Sequence, residues 1–456
     1  MADRMDNLKS IADAARGRLL DDDADFSGVS IDSRSLQPGQ AYVAIEGDRF
    51  DGHAFVNDAA SAGAAGAVVA REVEEGIPRV LVADTLQALQ DYARSWRARF
   101  SYPVIGVTGS VGKTTVKEML SAIWARQLGD EQAVLSTSGN LNNHIGVPLT
   151  LLRLRNTHRA AIIEMGANHA GEIKLLTDLA TPDVGVVTCA GSAHLEGFGS
   201  LDGVAHAKGE LFAGLSADAT AVINADDRYA SLWQSLAQGR NVLTFGTSVD
   251  AQIRAEDIAV NAQGSRFALI YGPDDIEIDL PLPGRHNVIN ALAAAAASLA
   301  AGVDLQAIAQ GLQSMRSVNG RLAWVEGDGG LRMLDDTYNA NPTSLLAAME
   351  AALSASGEHW LVLGDMAELG DNSEQQHADC GQQAREKGFK KLFTTGRLSQ
   401  SASARFGAGA QHFDCIDDLI AALKRSVSED VVLLVKGSRS ARMERVIQAL
   451  QAGGQH

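Results

Sequence analysis

Apolar and polar positions alternate along this chain in two rhythms. From Val104 onward, short apolar runs are each followed by a helical stretch: VIGV, then KEMLSAIWARQ; AAIIEMG, then a helix from Ala170; DVGVVTCAG, then SLDGVAHAKGELFAGL; TAVINAD, then another helix. Apolar strands alternating with helices are the signature of a parallel sheet covered on both faces. KEMLSAIWARQ reads as an amphipathic helix. Residues 251–281 change to the period-two alternation of antiparallel strands (QIRAEDIAV, SRFALIYG, DIEIDLPL), which predicts a hairpin insertion or sheet edge.

From Gly320 the first rhythm resumes. LRMLDD, HWLVLGD, KKLFTTG and VVLLVKG are each followed by a helical segment, which predicts a second doubly wound unit. Ahead of Asp84, the strand-like pieces GVSID, AYVAI, AGAVVA and RVLVA are separated by turns such as Gln37-Pro38-Gly39-Gln40. A helical stretch from Thr85 to Phe100 then leads to Ser101-Tyr102-Pro103. The expected fold class is α/β in three domains: a small N-terminal domain (1–84), a central parallel-sheet domain (85–317) and a C-terminal Rossmann-like domain (318–456). The longest apolar run, Ala291 to Val303, is too short and too alanine-rich to span a bilayer, and reads as a buried helix packed closely on a sheet.

Composition narrows the function. With 39 basic and 56 acidic residues the formal charge is −17, so nucleic acid and anionic membrane surfaces are poor partners. Cys189, Cys380 and Cys415 are scattered, form no disulfide framework or metal cluster, and are read as packing residues in a reducing cytosol. The N-terminus carries early acids and no apolar core, unlike a secretory signal. A cytoplasmic chain is expected.

The strongest chemical signal is TGSVGKTT, Thr108 to Thr115, between a buried strand and a helix. Glycines let backbone N–H groups converge on phosphate, and the helix N-terminus adds partial positive charge. Gly109, Ser110, Gly112, Lys113, Thr114 and Thr115 form this candidate loop, with Lys113 reaching terminal phosphates and Thr114 placed for Mg²⁺. The usual spacing would put glycine at position 107, where this chain has valine, so the loop is a shorter variant. Glu164 and His194 fall at carboxyl ends of neighbouring strands, where a parallel sheet presents ligands, and could coordinate Mg²⁺ around ATP. Taken singly, Glu164 reads equally as a helix cap or solvated acid, His194 as a loop histidine, and Lys208 as a solvated lysine. DDTYNANP, residues 335–342, is more polar than turn and capping chemistry needs.

Together these segments resemble the Mur ligase family of peptidoglycan synthesis. The matching strings include IDSRSLQPGQAYVAIEGDRFDGHAF, TGSVGKTTVKEML, SGNLNNHIGVPLTLL, IEMGANHAGEI, GSAHLEGFGSLDGVAHAKGELF, LPGRHNVINALAAAA, DDTYNANP, LGDMAELG and VKGSRSARME, in the family's order from Ile31 to Glu444. The resemblance implies an ATP- and Mg²⁺-dependent ligase. It would phosphorylate the terminal carboxylate of UDP-N-acetylmuramoyl-tripeptide and join the acyl phosphate to the amine of D-alanyl-D-alanine. It further implies that Asn290, Arg321 and Asp336 hold the nucleotide, and that Thr114, Glu164 and His194 surround magnesium. Lys208 would be carbamylated and bind a second Mg²⁺. Ser33, Arg34, Phe50, Asp51 and His53 would contact the uridine diphosphate group. Asn142, Asn143, Asn339 and Asn341 would face the peptide substrates, and the chain would act as a monomer with no membrane span. Catalysis would fall to Lys113, Lys208, His194 and Asp336.

Two relatives and one other class compete. The sibling that adds the diamino acid carries Asn-Pro-Arg, where this chain has Asn341-Pro342-Thr343. Folylpolyglutamate synthase shares the core but lacks the N-terminal uridine-binding block. A nucleotide-switched binding module would turn ATP over slowly, indifferent to peptide and amine.

Overall fold

The computed structural model describes residues 4–47, 50–73, 76–192, 195–316 and 320–451, and builds them around three main sheets. The first has five short strands in the order Arg18–Leu19, Arg79–Leu81, Gly66–Val69, Ala41–Val43, Val29–Ser30, parallel except at the Arg18–Leu19 edge. The helix Thr85–Arg97 follows. Its buried side bridges two units: Tyr92 Oη donates to Asp6 at 3.0 Å, while Trp96 Nε1 donates to Leu154 O at 3.2 Å.

The second sheet has nine strands. Six parallel ones run Asn241–Gly246, Thr220–Asn224, Val184–Val187, Val104–Thr108, Ala160–Glu164, Val134–Ser136. Residues 253–280 extend its other edge, with Ile253–Val260 entering parallel and Ser265–Tyr271 and Asp274–Leu280 turning antiparallel. The alternating segment is therefore a sheet edge, as its period indicated. The alanine-rich run lies in the helix Arg285–Ala300, where Ala293 to Ala297 are all buried. Short side chains let this helix approach the sheet and the helix Lys113–Leu128 closely, and both belong to one core.

Over KEMLSAIWARQ, the helix Lys113–Leu128 buries Met119, Leu120, Ile123 and Trp124 and leaves Arg126 and Gln127 exposed, while the helices Arg285–Ala300 and Leu305–Gln313 pack against it. Lys117 departs from that pattern: it is buried, its ammonium donating to Thr137 O at 3.0 Å. The cysteines correct an expectation: Cys380 is buried and Cys189 half-buried, but Cys415 is exposed, its thiol donating to Asp418 Oδ2 at 3.2 Å.

The third sheet runs Ala323–Glu326, Arg332–Asp336, Val431–Lys436, Glu358–Gly364, Lys391–Thr395, Ala410–Phe413, parallel but for its first strand. The strand Ala410–Phe413 and the helix Ile416–Ser426 fall where the sequence pattern suggested a single helix. AQHF has one strongly apolar residue and sits at the sheet edge, so it carries little periodic signal.

Candidate active site

The phosphate loop leaves the carboxyl end of Val104–Thr108 and opens directly into the helix Lys113–Leu128. Two neighbouring segments hold it. Ser110 N donates to Cys189 O at 2.9 Å, and Thr188 Oγ1 donates to Val111 O at 2.6 Å. Ser110 Oγ both donates to Gly191 O (3.0 Å) and accepts from Gly191 N (2.9 Å), tying the loop to the segment that leads toward position 194. Two glycines are required here. Gly109 has φ +142°, and a Cβ there would lie 1.9 Å from Thr188 Oγ1; Gly112 has φ +88°, and its Cβ would lie 2.4 Å from Asn290 Oδ1.

Lys113 folds back over its own loop, its ammonium donating to Gly109 O at 2.7 Å. Burial lowers its pKa, with Glu164 opposing. Thr114 Oγ1 donates to Glu164 Oε2 at 2.8 Å and accepts from Arg321 Nη2 at 2.9 Å. Glu164 is buried at the last position of its strand, and its other oxygen accepts from Asn142 Nδ2 at 2.8 Å. A threonine hydroxyl beside a buried carboxylate is a hard-oxygen donor set of the kind Mg²⁺ takes. His194, the third expected ligand, lies outside the described residues.

Asp336 ends the strand Arg332–Asp336 and pairs with the buried ammonium of Lys436, which also donates to Asn339 O at 2.9 Å. Lys436 was not singled out from sequence. The sequence offers only a lysine closing the otherwise apolar VVLLVK strand; its register with Asp336 appears in the structure. Arg321 reaches across from this domain, its guanidinium stacked 4.1 Å from the Tyr338 ring centroid. Thr343 also bridges domains, accepting from Ser192 N at 3.4 Å.

Lys113, Thr114, Glu164, Arg321, Asp336 and Lys436 line one cavity of about 460 Å³, together with Asn142, Asn143, Asn290, Asn339 and Asn341. Several asparagines are already committed. Asn143 Oδ1 accepts from Gly146 N at 2.8 Å, and Asn341 caps the helix Pro342–Leu353 reciprocally with Ser344. Asn290 Nδ2 donates to Asn287 Oδ1 at 3.2 Å. His286, which sequence reading passed over, also lines the cavity; its Nε2 is buried without a partner, and burial pulls its pKa down to about 4.

Lys208 is fully buried on the helix Leu201–Gly214. Among the described residues its ammonium makes one hydrogen bond, to Ala167 O at 3.2 Å, and lies 5.0 Å from the Phe198 ring centroid. Burial, reinforced by Lys113, lowers its pKa to about 7.

The N-terminal candidates gather apart from this cavity. Ser33 and Arg34 follow Val29–Ser30, and Phe50, Asp51 and His53 follow Ala41–Val43, so both groups leave the same end of adjacent parallel strands. Phe50 is 73% exposed. Arg34 is salt-bridged to Asp32 at 2.7 Å, pulling that carboxyl down to about 2. His53 is buried and spent: Nδ1 meets Asp51 at 2.7 Å, and Nε2 accepts from Ala70 N at 2.8 Å. Arg71 and then His53 hold the Asp51 carboxyl below the usual carboxylate range.

A phosphate loop that shares one cavity with a second nucleotide-type domain, in a chain that carries a further domain ahead of both in sequence, defines a multidomain ATP-dependent ligase. Three family models match successive segments: "Mur ligase family, catalytic domain" (25–97), "Mur ligase middle domain" (107–298) and "Mur ligase, glutamate ligase domain" (320–439). The chain belongs to the Mur ligase family. It is 42% identical to the UDP-N-acetylmuramoyl-tripeptide–D-alanyl-D-alanine ligase of Escherichia coli strain K12, covering 98% of each chain. Among solved structures, it superposes on a crystal structure of MurF from Acinetobacter baumannii with a TM-score of 0.91 at 33% identity, covering 98% of each. It superposes on MurF ligase from Thermotoga maritima in complex with ADP at 0.81 and 28% identity, covering 92% of this chain and 96% of that one.

Proposed function

We propose that this enzyme joins D-alanyl-D-alanine to UDP-N-acetylmuramoyl-tripeptide at the expense of ATP, in peptidoglycan precursor synthesis. The observation that carries the reading is the shared cavity, in which the phosphate loop of one domain faces Arg321, Asp336 and Lys436 of another. A ligase must enclose a phosphate donor, a carboxylate and an amine together, and must keep water from the activated intermediate.

A carboxylate oxygen of the tripeptide attacks the terminal phosphorus of ATP, the bond to ADP breaks, and an acyl phosphate results. The dipeptide amine then attacks the acyl carbon, phosphate departs, and the amine's proton is released to solvent. Lys113 and Arg321 offset the negative charge that builds as these anions approach. Thr114 and Glu164 would hold Mg²⁺, which when bound neutralises phosphate charge. Asn142 orients Glu164. Lys436 fixes Asp336 at the nucleotide side. Ser33, Arg34, Phe50 and Asp51 offer the uridine diphosphate group a surface, with His53 holding Asp51 in place.

The working units are residues 1–84, 85–317 and 318–456, and the chain works as a monomer. No helix among the described residues is long and apolar enough to cross a membrane; a nucleotide-linked substrate and scattered thiols fit the cytoplasm. Thr343 stands where the diamino-acid ligase carries arginine, which favours the dipeptide-adding reaction. Phosphate release measured with each candidate UDP-muramoyl peptide, with and without D-alanyl-D-alanine, tests the reading. Release that ignores the dipeptide would refute it.

A further inference from the structure

The dipeptide brings a charge for which the mechanism above has not accounted. Its free carboxylate must be desolvated in the closed cavity, and a buried carboxylate needs a cation and hydrogen-bond donors. Two residues fully extended span roughly 7 Å, so with the amine at the acyl carbon the carboxylate must meet a wall of the same cavity. Glu164, Glu172 and Asp336 on those walls repel it.

Four lysine and arginine side chains line the cavity: Lys113, Arg321, Lys436 and Arg439. The first three are committed. Lys113 closes on its own loop, Arg321 is fixed between Thr114 and Tyr338, and Lys436 is paired with Asp336. Arg439 differs. Among the described residues its only ionic partner is Glu444, at 3.4 Å, and its side chain is 69% exposed.

The backbone that carries Arg439 is nonetheless fixed. Ser438 donates from both N (2.9 Å) and Oγ (2.7 Å) to Asp365 O. Asp365 in turn is anchored, Oδ1 accepting from Leu398 N (3.0 Å) and Ser399 N (2.8 Å). This gives the LGDMAELG segment a task the mechanism left open: it sets the turn after Val431–Lys436 from which Arg439 projects. A largely exposed guanidinium on a rigid mount, held only by one long contact to Glu444, suits a carboxylate, since its planar fork binds both oxygens at once.

We infer that Arg439 reads the terminal carboxylate of the incoming dipeptide and thereby selects it. The inference rests on the substrate reading above. The test compares D-alanyl-D-alanine with its C-terminal amide, which has lost the charge, in wild type, Arg439→Ala and Arg439→Lys. In Arg439→Ala the KM for the dipeptide should rise roughly 10- to 100-fold, the range of one lost charged contact. KM for ATP and for the UDP-tripeptide should stay within about twofold. Wild type should lose a similar factor on the amide, Arg439→Ala should no longer distinguish acid from amide, and Arg439→Lys should recover part of the distinction. Matching melting curves exclude misfolding at this exposed position. Equal use of acid and amide by wild type would overturn the inference, as would an Arg439→Ala effect confined to ATP or the UDP-tripeptide. Wild-type turnover independent of the dipeptide would instead refute the substrate reading beneath it.

Discussion

Arg321 and Thr114 stand 207 positions apart in sequence, yet the guanidinium of one donates to the hydroxyl of the other at 2.9 Å. That bond joins the C-terminal domain to the first turn of the phosphate-loop helix. The same hydroxyl donates to Glu164, so the link runs on to the candidate metal carboxylate. Arg321→Ala should lower kcat/KM for ATP by roughly 100-fold, the loss of a charge-assisted contact in a closed site. Arg321→Lys should recover little, because an ammonium cannot both stack on Tyr338 and reach Thr114. Steady-state kinetics check this; a fully active lysine variant would show that charge alone suffices.

Lys113→Ala should abolish ligation, with a loss on the order of several kcal/mol in transition-state stabilisation. Among the described residues its ammonium hydrogen-bonds only backbone carbonyls of its own loop, so the fold should survive with a small change in melting temperature. Near-normal turnover in a folded variant would remove the phosphate loop from the mechanism.

How legible was this site beforehand? Thr114, Lys113 and Glu164 were readable because each occupies a fixed place in a strand–loop–helix or strand-end pattern. The Asn142 contact to Glu164 was not, because it joins a loop to a strand end and has no periodicity of its own. Lys436 was hidden for a similar reason: its pairing with Asp336 exists only in the register of two parallel strands 100 residues apart. Among the elements, long apolar strands and their helices were evident, while the two-residue strands Asp6–Asn7, Arg18–Leu19 and Asp25–Phe26 left no pattern to read. In the helix Lys113–Leu128 the departure is Lys117, a lysine buried among the apolar positions because its ammonium finds Thr137 O.

Gly112→Ala should be costly in two ways. The left-handed backbone at φ +88° penalises any side chain by about 1–2 kcal/mol. The added methyl would also press on Asn290 Oδ1, displacing a residue of the cavity wall that is a candidate nucleotide contact. Urea denaturation should show the first effect and weakened ATP binding the second. Unchanged affinity would separate Asn290 from the nucleotide.

His286 gives the protein an acid-sensitive element. Burial lowers its pKa to about 4, against 6.5 for the free side chain, with Asp336 and Glu350 opposing. Below pH 6.5 the unfolded chain takes up this proton while the native protein refuses it, so stability falls as pH drops from 6.5 toward 4 and is unaffected above. The native protein should lose roughly 1–3 kcal/mol more over that window than His286→Gln does. Chemical denaturation across the pH range measures the difference; parallel curves would mean that the imidazole protonates freely in the native state.

Lys208 sits in surroundings that suit its ordinary charge poorly. It is buried, its ammonium has one hydrogen bond and an aromatic face for partners, and Lys113 repels it. An ammonium so placed is poorly compensated, since burial disfavours charge that lacks hydrogen bonds. Addition of CO₂ to the neutral amine, with loss of one proton, would convert the side chain to a carbamate carrying −1 charge and two hard oxygens. Lys113 would then attract it rather than repel it. Lys208→Ala should retain the fold and lose most activity, and short carboxylic acids should restore part of it by occupying the carbamate's place. ¹³C-bicarbonate labelling should give wild type a carbamate resonance that Lys208→Ala lacks, a readout independent of turnover. Full activity in Lys208→Ala, or an unlabelled wild-type enzyme that still turns over, would leave Lys208 as a buried packing residue and nothing more.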